Sequence, residues 1–225
     1  YAPGPGRHYQ PWTFVPSAAL YTTIDGEKKR GLLGEYYNNA SLTGKPALSR
    51  VDADIRFQWT LFSPDPEKIN YDFFSARWSG KITAPQTGRF NIGIDGNDGY
   101  RLYINNRLLI DNWQKQSYHT RLVPFYFEKG KAYDIRVEYY EPSGNAWFRL
   151  IWDVDIKDSS EQKIAEAVAL ARRSDIAIVV AGIEEGEFND RASLQLPGRQ
   201  EKLIRAVAAT GKPVIVVLVG GSAIT

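Results

Sequence analysis

Residues 184–190 read EEGEFND and bring together four carboxylates, Glu184, Glu185, Glu187 and Asp190. Neighbouring carboxylates repel on ionising, and water exclusion by Phe188 adds to the cost, so a carboxyl placed here is driven toward its protonated form. A carboxyl that keeps its proton near neutrality is what general-acid catalysis requires. The same residues also fit a solvated acidic turn, because acids are favoured beside a helix N-terminus.

The elements on either side give the turn its setting. The apolar run DIAIVVAGI before it has the length and composition of a buried strand, and GRQEKLIRAVAATG after it has helical periodicity. Upstream, DSSEQKIAEAVALARRS predicts a helix with Ser159 and Gln162 placed as a capping box and Ile164, Ala165, Val168 and Ala171 on one face. Pro197 suits a first helical turn, Leu203, Ile204, Val207 and Ala208 form the apolar stripe, and Gly211 suits the stop before a second buried strand, KPVIVVLVGG. An αβαβ order implies a parallel sheet. Ligands of such sheets bind beyond the carboxyl ends of the strands, where the acidic turn lies. Two strands are too few for a stable sheet, so further strands are expected from a longer polypeptide. The opening YAPGPGRHYQPW, with no initiator Met and no leader, supports the same expectation.

Residues 31–155 have a different texture. Aromatic and β-branched runs such as GRFNIGI, YRLYIN and AYDIRVEYYEP are separated by the turn signals DGNDG, NN, EKG and EPSGN. Phe90, Ile92 and Ile94 alternate toward one side, as do Ile135, Val137 and Tyr139, which predicts an antiparallel β-sandwich. Trp59, Trp78, Trp147 and Trp152 read as core. Trp113 sits at a strand end before the polar loop QKQSYHT, so Trp113, Tyr118 and His119 are the candidate ligand-contacting residues. Residues 1–30, rich in Pro, Gly and Tyr, read as an irregular connection.

Composition sets outer limits. With 28 basic and 26 acidic residues, the net charge of +2 gives no reason to expect nucleic acid or a membrane surface as partner. The apolar runs fall short of the ~20 residues of a membrane helix. There is no cysteine, which excludes disulfides and thiolate metal sites, and the two histidines, His8 and His119, form no metal pattern. DGNDG reads as a tight turn, and no metal or cofactor is expected.

EGEFNDRASLQLPGRQEKLI, between SDIAIVVAG and KPVIVVLVGG, resembles the α/β-sandwich domain of family 3 glycoside hydrolases. The resemblance makes Glu187 the general acid/base, with Phe188 standing where the family often has Gly. Glu185, itself followed by Gly, is the alternative. Asp190 and Arg191 brace the loop on this reading. GLLGEYYNN, residues 74–113 and YDIRVEYYEPSGNAWFRLIW resemble a PA14 domain, a β-sandwich that interrupts the α/β domain in some of these hydrolases.

The fold expected is therefore an α+β multidomain fragment, with a PA14 sandwich (31–155) inserted in a parallel α/β-sandwich domain (156–225), after a connection at 1–30. The resemblance implies a retaining β-glycosidase of β-glucosides or short β-glucans, with its nucleophilic Asp on a (β/α)8 barrel elsewhere in the polypeptide and a periplasmic or secreted location. The other reading is a PA14 carbohydrate-binding module, a lectin or adhesin, without hydrolysis.

Overall fold

The computed structural model describes residues 1–5, 11–60, 62–156, 158–183 and 193–225. The chain divides into two units, Trp12–Asp155 and a second formed by Tyr1–Pro11 with Ile156–Thr225. The first is thus inserted in the sequence of the second.

The inserted unit is a sandwich of two antiparallel sheets. Its strands are β1 Thr13–Phe14, β2 Leu20–Ile24, β3 Glu27–Arg30, β4 Leu32–Tyr37, β5 Leu48–Asp52, β6 Arg56–Gln58, β7 Phe74–Thr83, β8 Gly88–Gly96, β9 Gly99–Ile104, β10 Arg107–Asn112, β11 His119–Phe127, β12 Ala132–Glu141 and β13 Trp147–Trp152. The eight-stranded sheet runs β10-β9-β12-β7, and the β2–β3 and β4–β5 hairpins share the far edge of β7. The five-stranded sheet runs β11-β8-β13, with β1 and β6 along the outer edge of β13. Residues 12–30, expected as a connection, contribute β1, β2 and β3 to these sheets. Their short alternations, Leu20 and Thr22 inward and Tyr21 and Thr23 outward, are masked in the sequence by the Pro- and Gly-rich run before them.

Period-two alternation supplies the core. Ile92, Ile94, Ile135, Val137 and Tyr139 are fully buried or nearly so, and Phe90 packs against them. At the centre Trp78 of β7 stacks on Phe57 and Phe148 of the opposite sheet, with ring centroids 5.6 and 5.5 Å away. An indole N–H this deep needs an acceptor, and Asp52 Oδ2 takes it at 2.8 Å. Tyr36 donates its hydroxyl to the same oxygen. Arg50 Nε donates to Oδ1 at 2.7 Å. One carboxylate at the end of β5 thereby fixes β4, β5 and β7. The pairing of β8 with β11 has its own requirement: a Cβ on Gly93 would lie 1.8 Å from the Arg121 carbonyl oxygen.

The second unit contains α1 Ser160–Arg172, β14 Ala177–Gly182, α2 Gln200–Ala208 and β15 Val214–Val219, with β14 and β15 parallel and in register from Ala177↔Val214. Ile164, Ala171, Val179, Leu203 and Val207 form its core. Ala165, expected on the inner face of α1, is exposed, and Ala167 packs there instead. The expected capping box does not form: Ser159 makes no side-chain cap bond, and Asp158 Oδ1 accepts the Ser160 N–H at 2.9 Å. Asp158 also pairs with Arg199 at 2.8 Å, so the carboxylate both caps α1 and ties it to the start of α2. Pro197 lies in the turn ahead of α2, not within its first turn. Ile178 and Val180 are exposed on one face of β14, and residues 215–219 of β15 are exposed on both faces.

Replacing Asp52 by Ala leaves a buried indole N–H and a buried phenol without acceptors, and Arg50 without its partner. The expected loss is about 3–5 kcal/mol of sandwich stability, with part of it recovered in Asp52→Asn. Urea unfolding followed by tryptophan fluorescence measures it, and an unchanged midpoint in Asp52→Ala would refute the assignment.

Candidate functional site

The acidic stretch containing Glu184, Glu185, Glu187, Asp190 and Arg191 lies outside the described residues, but both of its stems are described. β14 ends at Gly182, where a side chain is excluded because its Cβ would come within 2.1 Å of the Val219 carbonyl oxygen. The peptide groups of Gly182 are held by Gln200, the first residue of α2. Gly182 N–H donates to Gln200 Oε1 at 2.8 Å, and Gln200 Nε2 donates to the Gly182 carbonyl at 2.9 Å. Nε2 also donates to the Pro197 carbonyl at 3.0 Å. A buried side-chain amide thus acts as a short piece of strand and closes the loop at its base. The sequence showed Gln200 only as part of a matching motif; this role depends on the fold.

The other candidates sit at one end of the sandwich, where the loops after β8, β10 and β12 meet. The loop after β10 crosses from one sheet to the other and separates residues that are close in sequence. Trp113 stays with the eight-stranded sheet. Its ring is 4.8 Å from that of Tyr140, and the Arg101 guanidinium lies 4.5 Å over it. Trp113 lines a polar cavity of about 380 Å³ with Arg101, Asp111, Asn112, Gln114 and Arg121.

Tyr118 belongs to the five-stranded sheet. Its hydroxyl donates to Asp95, a fully buried carboxylate that also accepts from Thr120 Oγ1 at 2.7 Å and from Arg149 at 3.3 Å. Burial and the bond to Asp95 raise the Tyr118 pKa. Its half-exposed ring meets Trp147 edge-on at 5.8 Å, and the Arg149 guanidinium lies 4.2 Å over Trp147. Trp147, expected in the core, is only partly buried, since it opens β13 at the rim and donates its indole N–H to Thr60 Oγ1 at 3.2 Å. His119 faces inward: Nδ1 lies 3.1 Å from the Ser117 carbonyl, which can only accept, and Nε2 lies 2.9 Å from the Tyr100 hydroxyl. Burial raises the Tyr100 pKa. The three candidates are therefore close in sequence but make separate contacts, and of the three Tyr118 is the most exposed.

Two further residues at this end carry no sequence signal. Tyr71 and Phe73 are exposed, Phe73 with a φ of 56°, unusual for a bulky side chain. Between them, Asp72 Oδ1 accepts the Gly144 N–H at 2.9 Å and ties this loop to the one after β12.

The family model for the PA14 domain matches residues 28–165. The chain belongs to the PA14 domain family. The anti-sigma-I factor RsgI3 of Acetivibrio thermocellus is 34 % identical over 149 residues, 66 % of this chain and 22 % of that protein. A β-glucosidase of Rhizobium radiobacter is 31 % identical over 210 residues, 84 % of this chain and 25 % of that enzyme, so its match extends beyond the sandwich into the αβαβ segment. The β-glucosidase structure from Kluyveromyces marxianus superposes with a TM-score of 0.58 at 21 % identity, covering 94 % of this chain and 28 % of that one, and it supports the fold. The chain spans about a quarter of the length of the curated relatives it matches.

Gln200→Ala is expected to release both peptide groups of Gly182, at a cost of about 1–3 kcal/mol. Amide hydrogen exchange at Gly182 should quicken by at least about tenfold, which corresponds to ~1.4 kcal/mol. Exchange at wild-type rates would show that the clamp does not hold the strand end.

Proposed function

We propose that this chain is the part of a family 3 retaining β-glycosidase that carries the general acid/base, Glu187, and acts on terminal β-linked glucose in oligosaccharides or glucosides. The observation that carries the reading is the Gln200 clamp. It joins the end of a parallel strand to the start of the next helix, and so fixes both stems of the stretch holding Glu187 at the carboxyl end of the sheet, where ligands of such sheets bind. The β-glucosidase relative that matches through this segment supports it.

Retention requires two carboxyl groups about 5–5.5 Å apart. The nucleophile is an Asp on a (β/α)8 barrel outside this chain. Glu187 donates its proton to the departing glycosidic oxygen as the nucleophile attacks the anomeric carbon. The carboxylate left behind then takes a proton from the water that releases the sugar, which restores the acid. Tyr118 and Trp147 of the sandwich offer aromatic faces to the sugar units of longer substrates.

In the full polypeptide, Glu187→Ala should slow hydrolysis by about 10²–10⁴-fold for substrates with poor leaving groups, which depend on protonation. Activated aryl glucosides should suffer less at the bond-breaking step, and azide should rescue their deglycosylation as glycosyl azide. Wild-type rates in Glu187→Ala together with loss in Glu185→Ala would move the role to Glu185. The 225-residue chain by itself should turn over no aryl glucoside.

A carbohydrate-binding module without hydrolysis is the second reading. It is favoured by the solvent-facing Tyr118–Trp147 pair and by the RsgI3 match, which covers 66 % of the chain. Replacing Tyr118 and His119 by Ala separates the two. In the enzyme, the preference between disaccharides and longer oligomers should change while aryl glucoside hydrolysis stays near wild type. An unchanged chain-length profile, with tight glucan binding by the 225-residue chain, favours the module.

A further inference from the structure

Two carboxyl groups at the loop end of the sandwich have no cationic partner. Asp98, in the turn after β8, and Glu141, the last residue of β12, are 2 % and 0 % exposed. Their carboxyls lie within hydrogen-bonding reach of each other. Among the described residues no salt bridge reaches either one. Two carboxylates cannot donate, so this contact requires a proton. Its place is indicated by the neighbouring bonds. Glu141 Oε2 accepts the Tyr139 hydroxyl at 2.8 Å, whereas Oε1 finds no donor, as befits an oxygen that carries the proton itself. Asp98 Oδ2 accepts from Asn97 Nδ2 at 2.5 Å.

The pair sits where three loops are joined. Asp98 donates its N–H to the Gln116 carbonyl at 3.0 Å, and its own carbonyl accepts from Gln116 Nε2 at 3.0 Å. Asn97 Nδ2 donates to the Asn145 carbonyl, and Asn97 Oδ1 accepts the Trp147 N–H at 2.7 Å. Lys115 Nζ donates to Ser143 Oγ at 2.7 Å. The charged and titratable groups facing the pair are Asp72 from the loop before β7, Lys115 from the loop after β10, and Tyr139 and Tyr140 of β12. Asp72 opposes ionisation of Glu141, and exposed Lys115 offers Asp98 only partial compensation.

We propose that Asp98 and Glu141 share one proton that clamps these three loops, and that loss of this proton in alkaline solution releases the loop presenting Trp113 and Tyr118. With both groups ionised, two buried like charges would face each other without a counter-ion. Burial, followed by the contact with Asp98, pushes Glu141 up to about 8 from an ordinary 4.5. Because the folded state holds the proton more tightly than the unfolded chain, the stability this pair contributes is fully present below about pH 4.5, falls as the pH rises to about 8 and levels off beyond.

The test is a carbon-13 titration of glutamate carboxyls in the 225-residue chain between about pH 5 and 10, with backbone amides followed in parallel. One glutamate should titrate near pH 8 and be absent in Glu141→Gln. Amides of residues 97–99, 115–118 and 143–147 should move with the same midpoint in the wild type and stay still in Glu141→Gln. In Asp98→Asn the Glu141 midpoint should fall toward the ordinary carboxylate range. Titration of every glutamate below about pH 6 in the wild type would overturn the proposal without any variant. Loop shifts that keep their midpoint in Glu141→Gln would overturn it as well.

Discussion

The sandwich depends on a single indole. Trp78 reaches from β7 across the interface to Phe57 and Phe148, and so sets the spacing of the two sheets at their centre. Burying its polar nitrogen is tolerable only because Asp52 accepts the bond. Asp52 is itself tolerable in the interior because Tyr36 and Arg50 also donate to it. The aromatic stack and the polar triad are thus one arrangement: removing the acceptor exposes the cost of the ring, and removing the ring leaves the carboxylate short of a donor.

The loop end is built in the opposite way. Its carboxyls differ in how burial is compensated. Asp95 has Tyr118, Thr120 and a guanidinium as partners. Asp98 and Glu141 have amides, a phenol, each other and, at the surface, Lys115. Two acids separated by a short turn therefore play different electrostatic parts, one as a fixed anchor for an aromatic side chain and one as half of a proton-sharing pair.

Much of the fold was legible because alternation reports a face. Ile92, Ile94, Ile135, Val137 and Tyr139 lie where period two puts them, and the parallel order of β14 and β15 followed from the αβαβ pattern. Side-chain contacts between distant segments were not legible. Asp158 displaced Ser159 as the cap because a carboxylate can serve both the helix N-terminus and Arg199, a residue 41 positions away. Trp147 reads as core by its apolar neighbours, yet it stands at the rim because its strand begins there. For Trp113, Tyr118 and His119, closeness in sequence suggested one cluster, and the loop's crossing between sheets separates them. Glu141 reads as one more acid at a strand end. Nothing local indicates that Asp98 and Asp72 will be folded against it.

The short strand β1 has a consequence for how such a module spreads among proteins. Thr13 pairs with Trp152 and Phe14 with Ile151, so the first and last segments of the sandwich lie side by side, about 5 Å apart as in any antiparallel pair. A host backbone interrupted at one surface position need open by little more than that gap to receive the whole module, and it closes again after removal at little entropic cost. The same adjacency makes the sandwich a candidate for circular permutation: a linker of a few residues joining Trp152 to Thr13 would leave every sheet intact and allow new termini in a loop such as 128–131.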